Sequence, residues 1–122
     1  MSRDDSRVNE LHALRDKLRA FAAERDWDQF HTPKNLASAL AVEAAELLEH
    51  FQWLTAEESG ALAPAALAEV RAEVADVLLY LIRISDKLGI DPIAAAHEKI
   101  TANALKYPVD KARGSAKKYS AL

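Results

Sequence analysis

Residues 70–82, with the sequence VRAEVADVLLYLI, decide the fold because they are strongly apolar and still place acids at Glu73 and Asp76. Valine, leucine and isoleucine recur there at intervals of three and four, which is the spacing of one face of an α-helix. The two acids are three positions apart and therefore share a face of the same helix. The segment predicts a helix that is buried along one side and carries two carboxylates at the edge of that side.

A second stretch, residues 40–48 (LAVEAAELL), repeats this arrangement with Glu43 and Glu46. Such a pair on one helix commonly belongs to a solvated face, and this interpretation stays open for each pair taken alone. Acids beside apolar faces destabilise a fold unless a positive charge lies near them. Two antiparallel helices can direct four carboxylates into one gap, and oxygen ligands are what Mg²⁺ or Mn²⁺ prefers. The spacing therefore predicts a divalent cation held by Glu43, Glu46, Glu73 and Asp76.

The composition indicates an all-α protein. The 122 residues include three glycines and four prolines, while alanine and leucine are abundant. Thr32-Pro33 and Asp91-Pro92 are typical of a capped helix start, and Thr55 opens a capping box for a short helical turn. Four long helices are predicted, from about Ser6 to Arg25, from Pro33 to about Gln52, from Pro64 to Gly89 and from Pro92 to about Leu105. They are expected to form a four-helix bundle in one domain, residues 1–122, with a polar tail over residues 109–122.

The predicted helices carry wide apolar faces. The stripe on the first helix consists of Val8, Leu11, Leu14, Leu18 and Phe21. Four helices of this length cannot cover such faces completely within one copy of the chain, so the monomer is not expected to persist.

Several function classes are excluded by composition. The absence of cysteine removes disulfides, thiolate metal sites and thiol nucleophiles. A formal net charge of −3 argues against a nucleic acid polymer as partner. No stretch has the roughly 20 apolar residues needed to cross a membrane, and no apolar signal core follows the first residues. The protein is therefore expected to be cytoplasmic, without a membrane partner.

Aromatic and polar side chains near the acids are candidates for substrate contacts. The aromatic candidates are Trp27, Trp53 and Tyr80. The polar candidates, on the last long helix and just beyond it, are Lys99, Asn103, Lys106 and Tyr107. Aromatic faces can stack on a base and lysines can neutralise phosphate, although core filling and helix-dipole contacts are the commoner roles. Since protein-bound Mg²⁺ commonly keeps positions open for phosphate oxygens, the predicted substrate is a phosphate ester or nucleotide.

The acidic motifs, Glu43-x-x-Glu46 and Glu73-x-x-Asp76, resemble the signature of the all-α MazG-type nucleoside triphosphate pyrophosphohydrolases. The resemblance is strongest to the dCTP pyrophosphatase branch of that family. It extends to FAAERDWDQFH at 21–31, FQW at 51–53, DVLLYL at 76–81, Lys99, Asn103, Lys106-Tyr107-Pro108 and Lys118-Tyr119. The resemblance therefore covers nearly the whole chain from Leu11 onward.

This resemblance implies Mg²⁺-dependent hydrolysis between the α and β phosphates of a nucleoside triphosphate, with dCTP or a related pyrimidine deoxynucleotide as the expected substrate. It also implies a dimer or tetramer whose pockets are shared between subunits. The four acids would be the catalytic metal ligands, with Glu43 orienting or deprotonating the attacking water. The residues expected to contact substrate are Trp27, His31, Trp53, Tyr80, Lys99, Asn103, Lys106, Tyr107 and Lys118. Leu18 replaces a histidine of the animal dCTP enzymes, so the resemblance leaves the preferred base open.

Two alternatives remain at this point. The chain could be a non-catalytic helical interaction module, in which the acids are solvated and the apolar stripes bind a partner helix. It could also hydrolyse a different nucleotide, such as a phosphoribosyl-ATP-type compound. A substrate panel with Mg²⁺ separates these readings.

Overall fold

A computed structural model describes residues 3–122 of the chain, with side chains described over residues 10–122, and every regular element in this range is helical. The helices are α1 (Arg3–Glu24), α2 (Pro33–Glu49), α3 (Ala56–Ser59), α4 (Pro64–Leu88), α5 (Pro92–Lys106) and α6 (Val109–Ala112). Two 3₁₀ turns, Asp28–Phe30 and Tyr119–Ala121, complete the list. The predicted all-α class is confirmed, and the four predicted long helices correspond to α1, α2, α4 and α5. No described helix combines the length and apolar character that a membrane crossing requires.

Local side-chain chemistry sets the helix boundaries that the sequence predicts. The Thr32 hydroxyl accepts a hydrogen bond from the Asn35 amide at the start of α2, and Asp91 caps two amides at the start of α5. The capping box at Thr55 is formed as predicted. Helix α4 ends at Gly89, whose φ of 67° is a left-handed conformation that glycine adopts without a steric penalty.

Thr32→Ala should lower the free energy of unfolding by about 1 kcal/mol, because it removes the side-chain acceptor that caps α2. Urea denaturation at a fixed protein concentration measures the change. Thr32→Ser keeps the acceptor and serves as the control. Equal stability of the alanine and serine variants would contradict this role for Thr32.

The chain divides into two compact units, Met1–Gly89 and Ile90–Leu122. In the first unit, α4 is the central element, since both α2 and α1 pack against it. Arg19 of α1 donates a hydrogen bond from Nε to Asp86 Oδ2 of α4 at 2.7 Å, and this bond is the main reason that the pKa of Asp86 is lowered. That carboxylate therefore ties α1 to the end of α4.

The second unit contains α5, α6 and the last 3₁₀ turn. The rings of Tyr107 and Tyr119 meet edge to face at 6.1 Å, and Lys106 Nζ lies 5.1 Å from the Tyr119 ring centroid. The segment predicted as a polar tail, residues 109–122, contains a short helix and a turn that brings Tyr119 back to the end of α5. Helix α2 also ends earlier than predicted, at Glu49.

Few apolar side chains are buried in one copy of the chain. Among the described side chains, the buried hydrophobic residues are Ala22, Leu36 and Ile82. Residues of the predicted apolar faces remain open to solvent, such as Phe21 (45% exposed) on α1 and Val74 (51%) on α4. Val8, which the prediction places in the α1 stripe, lies outside the described side chains. The helices form as predicted, but their apolar faces are only partly covered.

Candidate active site

Helices α2 and α4 bring three carboxylates together. Glu43 from α2 and Glu73 and Asp76 from α4 each offer an oxygen, and these oxygens lie within 4.8 Å of one another. All three side chains are partly buried. Because Glu73 and Asp76 are three positions apart on one helix, they face α2 together. The predicted convergence of acids from two helices is thus present for three of the four.

Glu46 lies beside this group rather than within it. It is half-buried on α2, one turn after Glu43. A shared hydrogen bond with Glu46 is the largest cause that raises the pKa of Glu43 to about 7, followed by burial and by the charges of Glu46 and Asp76. The metal-free cluster therefore carries more negative charge than its surroundings balance, and it holds a proton near neutral pH.

The donor set fits a hard divalent cation. One oxygen of Glu73, Oε2, is buried and has no hydrogen-bond partner among the described residues. A buried carboxylate oxygen without a donor is costly, and a cation at this position would satisfy it. Glu43, Glu73 and Asp76 supply only oxygen, which favours Mg²⁺ or Mn²⁺ over softer metals.

A cavity of about 230 Å³ adjoins the carboxylates in the first unit. Asp76 belongs both to its wall and to the acidic cluster. The other residues of the wall are Leu18, Phe21, Ala22, Trp27, His31, Leu79, Tyr80 and Arg83. The cavity therefore combines aromatic and aliphatic walls with one carboxylate that also belongs to the acidic cluster.

The end of α1 positions Trp27 in this wall. Asp26 adopts a left-handed conformation, with φ of 55°, and the Trp27 amide donates back to the Ala22 carbonyl at 2.9 Å. These features end the helix and turn the chain sharply. The Trp27 ring then meets Phe21 edge on at 5.6 Å and lies 6.3 Å from the His31 ring.

A buried arginine forms part of the cavity wall. Arg83, only 5% exposed, donates from Nε to His31 Nδ1 at 3.1 Å and pairs with Asp28. Lys87 Nζ lies 2.8 Å from the same Asp28 carboxylate. The hydrogen bond from Lys87 is the largest cause that lowers the pKa of Asp28. These contacts join the turn after α1 to the last part of α4.

Comparison with protein families matches residues 39–122 to the model of the MazG-like family. This chain belongs to the MazG-like family. The match includes both acidic motifs, and it confirms the resemblance noted from the sequence.

Relatives of this MazG-like chain include dCTP pyrophosphatase 1 from Bos taurus, 43% identical over 117 residues, and dCTP pyrophosphatase 1 from Homo sapiens, 41% identical over 117 residues. The alignments cover 94% of this chain and 66% or 65% of the relatives, so the chain spans just under two thirds of their length. A crystal structure of a pyrophosphatase from Archaeoglobus fulgidus superimposes with a TM-score of 0.77 at 43% identity, covering 81% of this chain and 93% of that one. The helical fold is therefore similar to that of a solved pyrophosphatase.

The remaining predicted substrate residues of the MazG-like chain are distributed over both units. Trp27, His31 and Tyr80 line the cavity. Trp53 is not among the cavity residues and is 87% exposed just after α2. Lys99, Asn103, Lys106, Tyr107 and Lys118 all belong to the second unit.

Sequence reasoning did not predict site roles for Arg83 and Asp28. The sequence motifs assign no role to Arg83, and they include Asp28 only within the stretch at 21–31. Their partners lie more than 50 positions away along the chain, so no local spacing reveals the pairing. The available signal was an arginine within the apolar stretch of α4, since a charge there requires a partner.

The raised pKa of Glu43 predicts a pH dependence of stability. Glu43 titrates near 7 in the folded, metal-free protein, against an ordinary value of 4.5. Its stabilising contribution is therefore complete below about pH 4.5 and is lost as the pH rises through about 7. Denaturation in EDTA at about pH 5 and about pH 8 should show lower stability at the higher pH.

Two comparisons sharpen this pH experiment. The drop in stability between the two pH values should be smaller in Glu43→Gln than in the unmodified protein. In Glu49→Gln, at an exposed position of the same helix, the drop should be unchanged. Added Mg²⁺ should restore stability at the higher pH in the unmodified protein. An identical pH dependence in the Glu43 and Glu49 variants would contradict the assignment to Glu43.

Proposed function

We propose that this chain hydrolyses nucleoside triphosphates between the α and β phosphates, releasing the nucleoside monophosphate and pyrophosphate. The observation that carries the proposal is Asp76, which belongs both to a cluster of three carboxylates and to the wall of an apolar cavity. A cation site and a pocket for a flat ring thereby share one side chain. Membership in the MazG-like family and the relatives named dCTP pyrophosphatase 1 support the same activity.

The cofactor in this proposal is Mg²⁺, with Mn²⁺ as a substitute. Glu43, Glu73 and Asp76 would hold it, with Glu46 completing the acidic set predicted from the sequence. A bound divalent cation supplies charge neutralisation for phosphate oxygens and positions for water. The orphaned oxygen of Glu73 supports this choice, because a cation gives that atom the partner it lacks.

In the hydrolysis, a water oxygen forms the new bond to phosphorus, the bridging bond between the α and β phosphates breaks, and the water proton must be accepted. Glu43 is the proposed acceptor at a stage when its carboxylate does not hold the cation, because its oxygen belongs to the cluster beside which the water would lie. The leaving pyrophosphate retains the bridging oxygen if the α phosphorus is attacked, and the monophosphate retains it otherwise. Hydrolysis in ¹⁸O-labelled water distinguishes the two.

The nucleoside would enter the cavity, where Trp27 and Tyr80 offer ring faces and Leu18 and Leu79 offer aliphatic contacts. We propose dCTP or a related pyrimidine deoxynucleotide as the substrate. The proposal is based on the relatives named dCTP pyrophosphatase 1 and on the modest volume of the cavity, about 230 Å³. The phosphate and sugar contacts proposed from the sequence are those of Lys99, Asn103, Lys106, Tyr107 and Lys118.

The experiment that tests this function is a substrate panel. The protein is incubated with each deoxynucleoside triphosphate, with the ribonucleotide CTP and with a phosphoribosyl-ATP-type compound, in Mg²⁺ or in EDTA, and the products are separated by ion-exchange chromatography. Monophosphate with pyrophosphate, formed only with Mg²⁺, supports the proposal. Diphosphate with inorganic phosphate would contradict it, and no turnover of any nucleotide would favour the helical interaction module.

We also propose that the working form is a homodimer or homotetramer with pockets shared between subunits. Support comes from the many apolar side chains left exposed in a single copy, including Leu48 (62%), Leu67 (56%) and Val74 (51%) on α2 and α4. Multi-angle light scattering at micromolar concentration should therefore give a mass at least twice the 13.4 kDa of one chain. A mass of one chain would contradict the assembly.

A further inference from the structure

The hydrogen bond between Arg83 and His31 fixes which ring nitrogen of the histidine carries a proton. The Arg83 Nε–H donates to His31 Nδ1 at 3.1 Å, so Nδ1 acts as the acceptor. In a neutral imidazole one nitrogen accepts and the other donates. The proton of His31 must therefore lie on Nε2.

Contacts with two acidic residues hold the Arg83 guanidinium in place beside His31. Its guanidinium pairs with Asp28, and its NH1 lies 3.7 Å from Asp86 Oδ2 on the next turn of α4. The side chain is 6% exposed, so the competition from water is small. Because an arginine guanidinium has no acceptor and stays protonated, it can only donate to His31.

The environment of His31 also keeps the ring neutral. Burial is the largest cause that lowers the pKa of His31, and the positive charge of Arg83 is the second. Asp28 acts in the opposite direction, and Lys87 adds to the lowering. Asp76 is the carboxylate in the cavity wall that His31 also lines. The ring that meets the cavity is thus a neutral donor rather than a cation.

We propose that Arg83 is a positioning residue that holds His31 in the Nε2–H tautomer, so that this N–H donates to an acceptor atom of the nucleoside bound in the cavity. This inference rests on the proposed function. His31 lines the cavity, and the edge of its ring that carries Nδ1 is occupied by Arg83. The opposite edge is the one left for a ligand. The acceptor is a carbonyl oxygen or an unprotonated ring nitrogen of the base, or an oxygen of the sugar, since each can receive an N–H donor.

Two substitutions at His31 separate ligand recognition from a purely structural contact. In His31→Gln, the side-chain amide nitrogen can take the place of Nε2 and still donate to a ligand. In His31→Asn, the shorter amide can still accept from Arg83 at the place of Nδ1 but does not reach the place of Nε2. The KM for the best nucleotide of the panel should stay within about 3-fold for the glutamine variant and rise roughly 10-fold for the asparagine variant, with kcat little changed in both.

The tautomer is measured directly by long-range ¹H–¹⁵N NMR on protein labelled at its four histidines, above the pKa of His31. The His31 signals, assigned by their loss in His31→Gln, should show a protonated Nε2 and an unprotonated Nδ1. Arg83→Lys keeps the positive charge but lacks the planar donor group, so it should mix the tautomers and raise KM. Arg71→Lys, at an exposed position of the same helix, should change neither. If Arg83→Lys does not fold, the His31 pair still tests the proposal.

The possible outcomes distinguish this proposal from the proposed function. A glutamine variant close to wild type with an impaired asparagine variant supports it. An asparagine variant equal to or better than the glutamine variant, or a protonated Nδ1 in the wild type, would overturn it while nucleotide hydrolysis by the wild type stands. A wild-type protein that hydrolyses no nucleotide yet shows the Nε2–H tautomer would instead overturn the proposed function, and with it the ligand role of His31.

Discussion

Glu73→Gln is expected to lower kcat/KM for nucleotide hydrolysis by more than about 100-fold, which exceeds the usual effect of removing a group that only supports a metal ligand. The substitution keeps the size of the side chain but removes the charge from the carboxylate whose Oε2 is buried and unpartnered. Asp76→Asn should have an effect of the same size, because Asp76 shares the cluster. Steady-state kinetics at saturating Mg²⁺ measures both.

The matched control is Glu69→Gln, since Glu69 lies one turn before Glu73 on α4 and its side chain is 69% exposed. It should retain full activity. Far-UV circular dichroism should be the same in all three variants, because none of them removes an apolar contact. Calorimetric titration with Mg²⁺ should show weaker binding only in the Glu73 and Asp76 variants. Full activity of Glu73→Gln at saturating Mg²⁺ would refute the ligand assignment.

Trp53→Ala is expected to raise KM by about 10-fold or more while leaving kcat within about 2-fold, because stacking of an aromatic ring on a base contributes to binding rather than to bond cleavage. Trp53 is the most exposed large hydrophobic side chain among the described residues, at 87%. Because the Trp53 indole is so exposed in one copy of the chain, it can contact a nucleotide or a second subunit. Steady-state kinetics over a range of nucleotide concentrations measures the effect.

Phe30→Ala is the control, since Phe30 is also an exposed aromatic residue of the first unit, at 59%, but is not among the residues expected to contact substrate. It should leave KM unchanged. Light scattering on the Trp53 variant separates the two possible contacts of the ring. A normal mass with a raised KM indicates nucleotide binding, and a reduced mass indicates an intersubunit contact. An unchanged KM would show that Trp53 does not contact the nucleotide.

The helix boundaries could be predicted from the sequence because they depend on neighbouring residues. Thr32, Thr55 and Asp91 accept hydrogen bonds from amides two or three positions away, and Gly89 ends α4 through its own backbone conformation. The convergence of acids was also predictable, since their spacing places them on helix faces that border apolar stripes.

The rest depends on contacts between distant residues. Spacing alone could not show that Glu46 lies beside the cluster while Glu43, Glu73 and Asp76 meet within it. The burial of Arg83 likewise depends on the turn after α1, where Asp28 and His31 are placed by the left-handed residue that ends the helix. Such pairings depend on how helices dock, and helical periodicity carries no information about docking.

The small set of buried apolar residues in one copy has a consequence for how this protein behaves when it is scarce. With Ala22, Leu36 and Ile82 as the buried hydrophobic side chains among those described, little of the apolar surface is removed from water within a single chain. If the remaining apolar surface is covered by other copies, folding and association become one equilibrium, and dilution favours the unfolded chain by mass action. The fraction of chains that are folded and active would then decrease as the total protein concentration decreases. Activity would therefore be lost below a minimum concentration of the protein in the cell.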